Sequence, residues 1–343
     1  MAEFDENGVQ IQNEVTEDVT NKKCPNCGAT VVFDPGTGGM LCEFCGYKTE
    51  LPKPDAGSTI CELDFESAEK TASFEWGTQK KSVVCKQCGA ETIYDALETA
   101  AVCPFSITKE KAGQKFTSWL GGKLFTPSKA KKSARPESFQ GVYLPYWTYD
   151  AQTTSSFSAR AGYERRVKRG DNYVTEVTWR PVSGVYQEFI DDQTVMASKR
   201  TENSVVKACE PFDFTKLVPY SPQVVAGFIA ERYSVGLKEG WGIAQESIKK
   251  RLQNNINKYI RSNWRCDRVD SLRFSTLYSN ITYKYILVPV WISSFKYNEK
   301  VYQFVVNGQT GKVGGHAPVS ALRVLAAIGI GLAAIILLYL LLH

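Results

Sequence analysis

CPNCGATVVFDPGTGGMLCEFCG, Cys24 to Gly46, is the stretch that decides the first module of this chain. It sets Cys24 and Cys27, then Cys42 and Cys45, in two C-x-x-C turns with 14 residues between the pairs. Each turn aims two thiolates at one ion, and the glycine that follows, Gly28 or Gly46, permits the tight backbone whose N–H groups donate to sulfur. Zn2+ prefers four such ligands in a tetrahedron, and a closed tetrahedral shell leaves no position open for a substrate. The spacing predicts a structural zinc ribbon over residues 21–50, with Thr30 to Asp34 as a strand and Pro35 to Gly39 as its turn.

A second copy of the pattern follows at Cys85-Lys-Gln-Cys88-Gly89, with a strand-like Glu91 to Asp95 and a return knuckle at Cys103-Pro104-Phe105. Its fourth position is Ser106, whose un-ionised hydroxyl is a poor zinc ligand. Residues 81–107 therefore read as a degenerate ribbon with Cys85, Cys88 and Cys103 as ligands. Three readings of it stand side by side: Cys61 or a water completes the zinc shell, the site binds weakly, or the ribbon folds without metal. Cys61, Cys209 and Cys266 are isolated and read as small buried residues. A thioredoxin-like redox centre uses one C-x-x-C opening a helix, whereas these knuckles come in paired sets with glycine after three of the four, so redox chemistry is disfavoured.

At the other end, Val324 to Leu342 is an uninterrupted apolar run without charge. As a helix it measures about 30 Å, the thickness of a bilayer's hydrocarbon core, and it has no polar face to turn toward solvent. Residues 322–342 are predicted to be a single transmembrane helix. Lys312 and Arg323 precede it and only His343 follows, which places the bulk of the chain in the cytoplasm and makes the tail a single-pass anchor in the cell membrane. Gly329 with Ala333, and Ala327 with Gly331, lie four apart and would permit close helix contact. Residues 1–20 are acidic and polar, contain no secretory segment and read as a disordered tail.

Between the two ends lies enough apolar sequence for a large core, with 43% hydrophobic and 12% aromatic residues in 343. A formal charge of +5 does not mark a dedicated nucleic-acid binder. Ten cysteines in a long chain without a signal peptide point to metal ligation in a reducing compartment. Residues 51–80 read as a linker with a short strand near Cys61 to Phe65. Residues 108–136 turn basic, with Lys109, Lys111, Lys115, Lys123, Lys129, Lys131, Lys132 and Arg135 interleaved with Phe116, Trp119, Leu120 and Phe125. Such a segment suits an anionic membrane face or a nucleic-acid backbone, against the plainer reading of a solvated helix and linker.

The rest, 137–320, is predicted to be an α+β domain with antiparallel β-strands and a helical pair. Strand-like runs cover Val142 to Tyr149, Tyr173 to Trp179, Ser183 to Phe189, Tyr285 to Phe295 and Val301 to Val306, the last two forming a hairpin. The helices are expected at Pro222 to Val235 and at Ala244 to Ile260, where Ala244, Ile248, Leu252, Ile256 and Ile260 recur at i, i+4. Pro145-Tyr-Trp147 and Pro289-Val-Trp291 form a faint internal echo, read either as two related β layers or as two independent core tryptophans.

With these pieces assembled, the chain resembles the bacterial membrane-anchored double zinc-ribbon proteins often labelled primosomal helicase or replication-factor-like. The likeness covers roughly residues 22–320 and rests on the paired ribbons, Gly141-Val-Tyr-Leu-Pro-Tyr-Trp147, Ala226-Gly-Phe-Ile-Ala-Glu231, and Leu287-Val-Pro-Val-Trp291 through Asn307-Gly-Gln-Thr-Gly-Lys312. Ser106 departs from the usual fourth cysteine. The resemblance implies a membrane protein that helps recruit SPFH-domain or phage-shock-type proteins, in a membrane-stress response. The helicase label fails on the residues, because neither Gly121-Gly122-Lys123 nor Gly308-Gln-Thr-Gly311-Lys312 has the spacing and hydroxyl of a phosphate-cradling loop. With only His316 and His343 in the chain, a Ser-His or Cys-His pair is hard to build, and no motif names a small-molecule substrate. The expectation is a non-enzymatic adaptor or scaffold, with Zn2+ as its metal and the membrane and other proteins as its partners; a membrane-tethered nucleic-acid binder is the alternative.

Overall fold

The computed structural model describes residues 3–4, 10–11, 23–51, 60, 62–72, 82–84, 91–93, 100–133, 139–169, 172–199, 203–298 and 300–342. Most of the expected acidic tail, and Cys61, Cys85 and Cys88, lie outside them. Strands β1 (Glu3–Phe4) and β2 (Gln10–Ile11) pair with each other, and β3 (Val32–Asp34), β4 (Gly39–Leu41) and β5 (Lys48–Thr49) form the sheet of the first ribbon. Next come β6 (Leu63–Asp64), α1 (Phe65–Ala72), the antiparallel pair β7 (Ser82–Val84) and β8 (Glu91–Ile93), and β9 (Ala101–Val102). Helices α2 (Lys109–Gly121) and α3 (Ser128–Ser133) lead to the long strands β10 (Gln140–Arg169) and β11 (Asn172–Met196). The chain continues through α4 (Asn203–Cys209), β12 (Val218–Pro219), α5 (Pro222–Val225), β13 (Ile229–Ala230) and α6 (Leu237–Trp264). It closes with β14 (Arg268–Tyr297), β15 (Lys300–Asn307), β16 (Val313–Gly315) and α7 (Ala321–Leu342).

The architecture is α+β, built on one sheet of nine strands with the order β11-β10-β14-β15-β16 along its main path. Strands β10 and β14 run 30 residues each, so their sequence is read by two environments in turn. Val142 to Ala151 is buried on both faces, which suits its near-continuous apolar composition, whereas beyond it burial alternates residue by residue. The change coincides with aligned irregularities at Tyr149/Ala151 in the pairing with β11 and at Asp150/Gln152 in the pairing with β14. Past that level α6 covers one face of a three-stranded β10–β11–β14 extension. Its apolar stripe, Ala244, Ile248, Leu252, Ile256 and Ile260, is fully buried as the i, i+4 spacing required. Each of the four large members contributes about 1.5–3 kcal/mol of apolar burial.

The two Pro-x-Trp segments are adjacent strands of this one sheet, not two layers: Pro145 stands opposite Leu287, and Pro289 opposite Tyr143. Their likeness extends to what packs on them. Strand β13 joins β10 in parallel at Val142 and Tyr143, while β9 joins β14 in parallel at Ile286 and Leu287. Trp147 Nε1 donates to Val235 O at 2.8 Å, and Trp291 Nε1 donates to Ile107 O at 2.8 Å. Phe105 lies against Trp291 with centroids 4.9 Å apart, and Tyr233 against Trp147 at 5.3 Å. A short strand, an aromatic residue, a carbonyl handed to a tryptophan and a helix therefore occur twice, related by an approximate two-fold axis between β10 and β14.

Three further expectations change. The helix read over Pro222 to Val235 stops at Val225, because Gly227 takes φ +87° and the chain then enters β13. The helix read from Ala244 starts at Leu237, so Gly240 lies inside it; a Cβ there would sit 2.5 Å from Tyr149 Oη and 2.8 Å from Trp147 Cδ1, and glycine lets these rings approach. The main sheet also recruits β6 and β9 from stretches read as linker and second ribbon, and Phe65 at the start of α1 inserts among Tyr149, Trp241 and Tyr283. Among the described residues one helix, α7, is long and apolar enough to cross a membrane by length and composition, and its described residues beyond Val324 are all exposed.

Candidate metal centre

Four cysteines converge in the first ribbon. The Sγ atoms of Cys24, Cys27, Cys42 and Cys45 all lie within 4.8 Å of one another, and the Cys24–Cys45 and Cys27–Cys42 pairs are 3.5 Å apart. A tetrahedral zinc with bonds of about 2.3 Å sets its sulfurs about 3.8 Å apart, so the donor set fits Zn2+ by both chemistry and spacing. The two knuckles repeat one geometry. Gly28 N donates to Cys24 O at 2.8 Å and Gly46 N to Cys42 O at 2.9 Å, with φ +73° and +72° at the glycines. Cys24 and Cys42 are buried while Cys27 and Cys45 face solvent. The Tyr47 backbone N–H bond draws the Cys45 thiol down to about 6. At Cys27 the Ala29 N–H acts in the same direction, but hydrogen bonds with the neighbouring sulfurs outweigh it and push the thiol up to about 12. Sulfurs this close titrate together, so the opposite shifts belong to the cluster as a whole.

The ribbon docks through its first strand. Phe33 N donates to Ala226 O at 3.1 Å, and a Cβ on Gly227 would stand 2.8 Å from Val32 Cβ, so the Ala226-Gly-Phe turn is shaped to receive β3. Phe33 meets Phe228 edge-on at 6.4 Å, and Phe228 stacks on Phe105 at 4.3 Å, which ties the ribbon to the main core.

Of the other predicted ligands, Cys85 and Cys88 lie outside the described residues. Cys103 is placed at the end of β9 with no exposure, packed with Val142, Leu144, Tyr146 and Val288; its N–H donates to Leu287 O at 2.8 Å. Burial pushes its thiol up to about 12. Ser106 is exposed and holds Gly308 O through its backbone N–H at 2.9 Å. Cys209 and Cys266 are buried, as read.

The Asn307-Gly-Gln-Thr-Gly-Lys312 string forms a knot of structure rather than a phosphate cradle. Asn307 is fully buried; its Nδ2 donates to Cys209 O and Pro211 O, each at 3.1 Å, and its Oδ1 accepts from Gln309 N at 2.9 Å and Thr310 N at 3.0 Å. Gly308 fits against Phe105 and Pro289, where a Cβ would meet atoms at 2.6–2.8 Å.

Sequence reasoning missed a charge cluster at the bend of the sheet. Lys284 Nζ stands 3.0 Å from Asp192 Oδ1, 3.1 Å from Glu62 Oε1 and 4.0 Å from Asp150 Oδ2, with only 10% of its side chain exposed. Asp150 Oδ1 accepts from Asp192 N at 2.6 Å, across the irregularity in the β10–β11 pairing. Burial pushes the Asp150 carboxyl up to about 6, and the Asp192 and Glu62 carboxylates hold Lys284 above its usual range despite its burial. The carboxylates of Asp150, Asp191 and Asp192 fall within 4.8 Å of one another, and the lysine supplies their counter-charge. A lysine in the apolar run Tyr283 to Val290 was the available signal.

Comparison with known proteins agrees with the ribbon and extends along the chain. A family model described as TFIIB zinc-binding matches residues 22–62, which contain the four-cysteine set. Over 324 residues the chain is 28% identical to the uncharacterized protein YdjG of Bacillus subtilis (strain 168), an alignment covering 90% of this chain and 93% of that protein. No solved structure matches it.

Proposed function

We propose that this chain is a non-enzymatic, membrane-anchored zinc-ribbon adaptor that presents protein-binding surfaces on the cytoplasmic side of the cell membrane. The observation that carries the reading is α7, an apolar helix of 22 residues whose described residues beyond Val324 make no use of the folded body for cover. A closed four-sulfur site supports a structural metal rather than a reaction centre. The sheet offers a broad solvent face opposite α6, with Val185 and Phe189 each 54% and Leu277 70% exposed among Thr154, Ser156 and Gln187. SPFH-domain or phage-shock-type proteins, in a membrane-stress response, are the partners we propose for it. The test is crosslinking and pull-down from membranes with the full chain and with a chain ending at Ser320. Loss of such partners from the shortened chain is expected; equal capture by both would contradict tethering as the functional point.

A second reading, a membrane-tethered nucleic-acid binder, draws on the far end of the β10–β11 hairpin. There Lys168 stands opposite Tyr173, 70% exposed, and Arg160 lies 5.2 Å from the ring centroid of Trp179, 37% exposed. A gel shift at low salt that weakens as salt rises would favour it, and absence of a shift at low salt would dismiss it.

A further inference from the structure

We propose that the loop joining α2 to α3, residues 122–127, is an interfacial foot that docks onto anionic lipid headgroups beside the point where α7 enters the bilayer. The proposal rests on the membrane reading of α7 and adds to it a second, lipid-selective contact. Its first ground is position. Arg323, in the first turn of α7, donates through Nη1 to Leu124 O at 3.2 Å and Thr126 O at 2.6 Å, and through Nη2 to Ser128 Oγ at 2.9 Å. Ser320 N donates to Phe125 O at 2.9 Å. Three of these hydrogen bonds pin the loop, and the fourth pins the first residue of α3, to the start of the candidate span, so the depth of one sets the depth of the other. A helix that crosses the hydrocarbon core has its first turn at the headgroups, and the loop sits there with it.

The second ground is chemistry. Leu124 is 81% and Phe125 40% exposed, next to Val319 at 67% and Leu322 at 78%, a cluster of apolar side chains at a loop tip. The opposite side of α2 is already committed to the core: Phe116 stacks on Phe304 with centroids 3.6 Å apart, and Leu120 is buried. The outward side is cationic. Residues 108–133 hold seven lysines and one carboxylate, Glu110, which lies at the end of α2 remote from the loop. Lys123 Nζ rests 4.7 Å from the Trp119 ring centroid, and Lys131 Nζ closes the end of α2 by donating to Gly121 O at 2.7 Å. Apolar tips with a cationic surround match the layering of an anionic membrane surface, where acyl chains lie beneath phosphate charge. A solvated linker would have no use for the leucine and phenylalanine, and a nucleic-acid strand would find the loop facing the bilayer.

The experiment uses the full chain in nanodiscs of neutral phosphatidylcholine and in nanodiscs with roughly one third phosphatidylglycerol. Co-elution of chain and disc reports on α7 alone, and failure to incorporate would overturn the tail reading and this proposal together. In incorporated samples, amide exchange across residues 117–133 is expected to be about threefold or more slower in anionic than in neutral discs, with the difference shrinking as salt rises. The triple variant Lys123→Gln, Lys129→Gln, Lys132→Gln should still incorporate and keep its exchange over α6 while losing the lipid dependence. Equal exchange in both discs, or a difference that survives in the variant, would overturn the proposal while leaving the anchor intact. So would slowing of exchange by a short oligonucleotide where anionic lipid causes none.

Discussion

Both crossovers of the main sheet hand a backbone carbonyl to a tryptophan of the facing strand, Ile107 to Trp291 and Val235 to Trp147, and both begin a helix two residues later. There the likeness ends. After Val235, α6 runs 28 residues and keeps its apolar stripe to Ile260, so it becomes the spine of the long β10–β11–β14 extension. After Ile107, α2 runs 13 residues, ends at Gly121 and gives way to a loop whose backbone carbonyls hold Arg323. One joint, used twice, sets where a helix leaves the sheet; the residues after it decide whether that helix stiffens the long extension or ends early in a loop held at the start of α7. The zinc ribbon adds to the asymmetry, since its docking turn at Ala226 to Phe228 belongs to the α6 arm.

The largest effect should come from the metal. Structural zinc in small ribbons is worth about 10 kcal/mol or more of folding free energy. Chelation, or Cys42→Ala, is expected to abolish zinc content and exchange protection over residues 23–51, while amides of 142–149 and 285–291 keep theirs. Loss of protection in both sets would show that the α6 arm depends on its ribbon. Next come the helix cores: Ile256→Ala and Phe116→Ala should each cost about 3–4 kcal/mol by denaturant unfolding. The first should loosen amides of 153–165 and 182–190, the second those near β15 and α7. Identical exchange patterns would merge the two arms into one unit.

The joints themselves give a smaller, matched pair. Trp147→Phe and Trp291→Phe each remove one buried N–H donor, at about 1 kcal/mol apiece, and the costs should agree within about 0.5 kcal/mol. A null effect at either position would break the equivalence.

The smallest effect is a pH dependence at the bend. Asp150 titrates at about 6 in the fold against 3.8 as a free side chain, so the folded chain holds that proton more tightly than the unfolded one. This group's contribution to stability therefore grows as pH falls from about 6 toward 4, with Lys284, Asp192 and Glu62 as the charges facing it. Asp150→Asn should remove that part of the slope. An unchanged difference between wild type and variant from pH 7 to pH 5 would contradict the assignment.

Much of this was legible from local chemistry. The C-x-x-C spacing gave the four-sulfur set, the i, i+4 stripe gave the buried face of α6, and the charge-free run gave α7. What escaped were features that depend on long-range pairing. Beyond Asp150 the strand β10 continues through Thr153 to Ser158, a polar stretch that becomes a strand only because β11 and β14 flank it and α6 covers one face. The reading of Pro222 to Val235 as a helix followed an apolar run, but the approach of Val32 at Gly227 outweighs helix propensity there. Cys103 shows how a knuckle-like Cys-Pro can be the end of a core strand, and Lys284 shows how a charge within an apolar run marks a counter-ion in the core.

Alkaline-carbonate extraction of membranes from cells making either the full chain or a chain ending at Ser320 tests the tether most directly. The full chain should stay with the pelleted membrane and the shortened chain should be released. Release of both chains would contradict α7 as a membrane anchor.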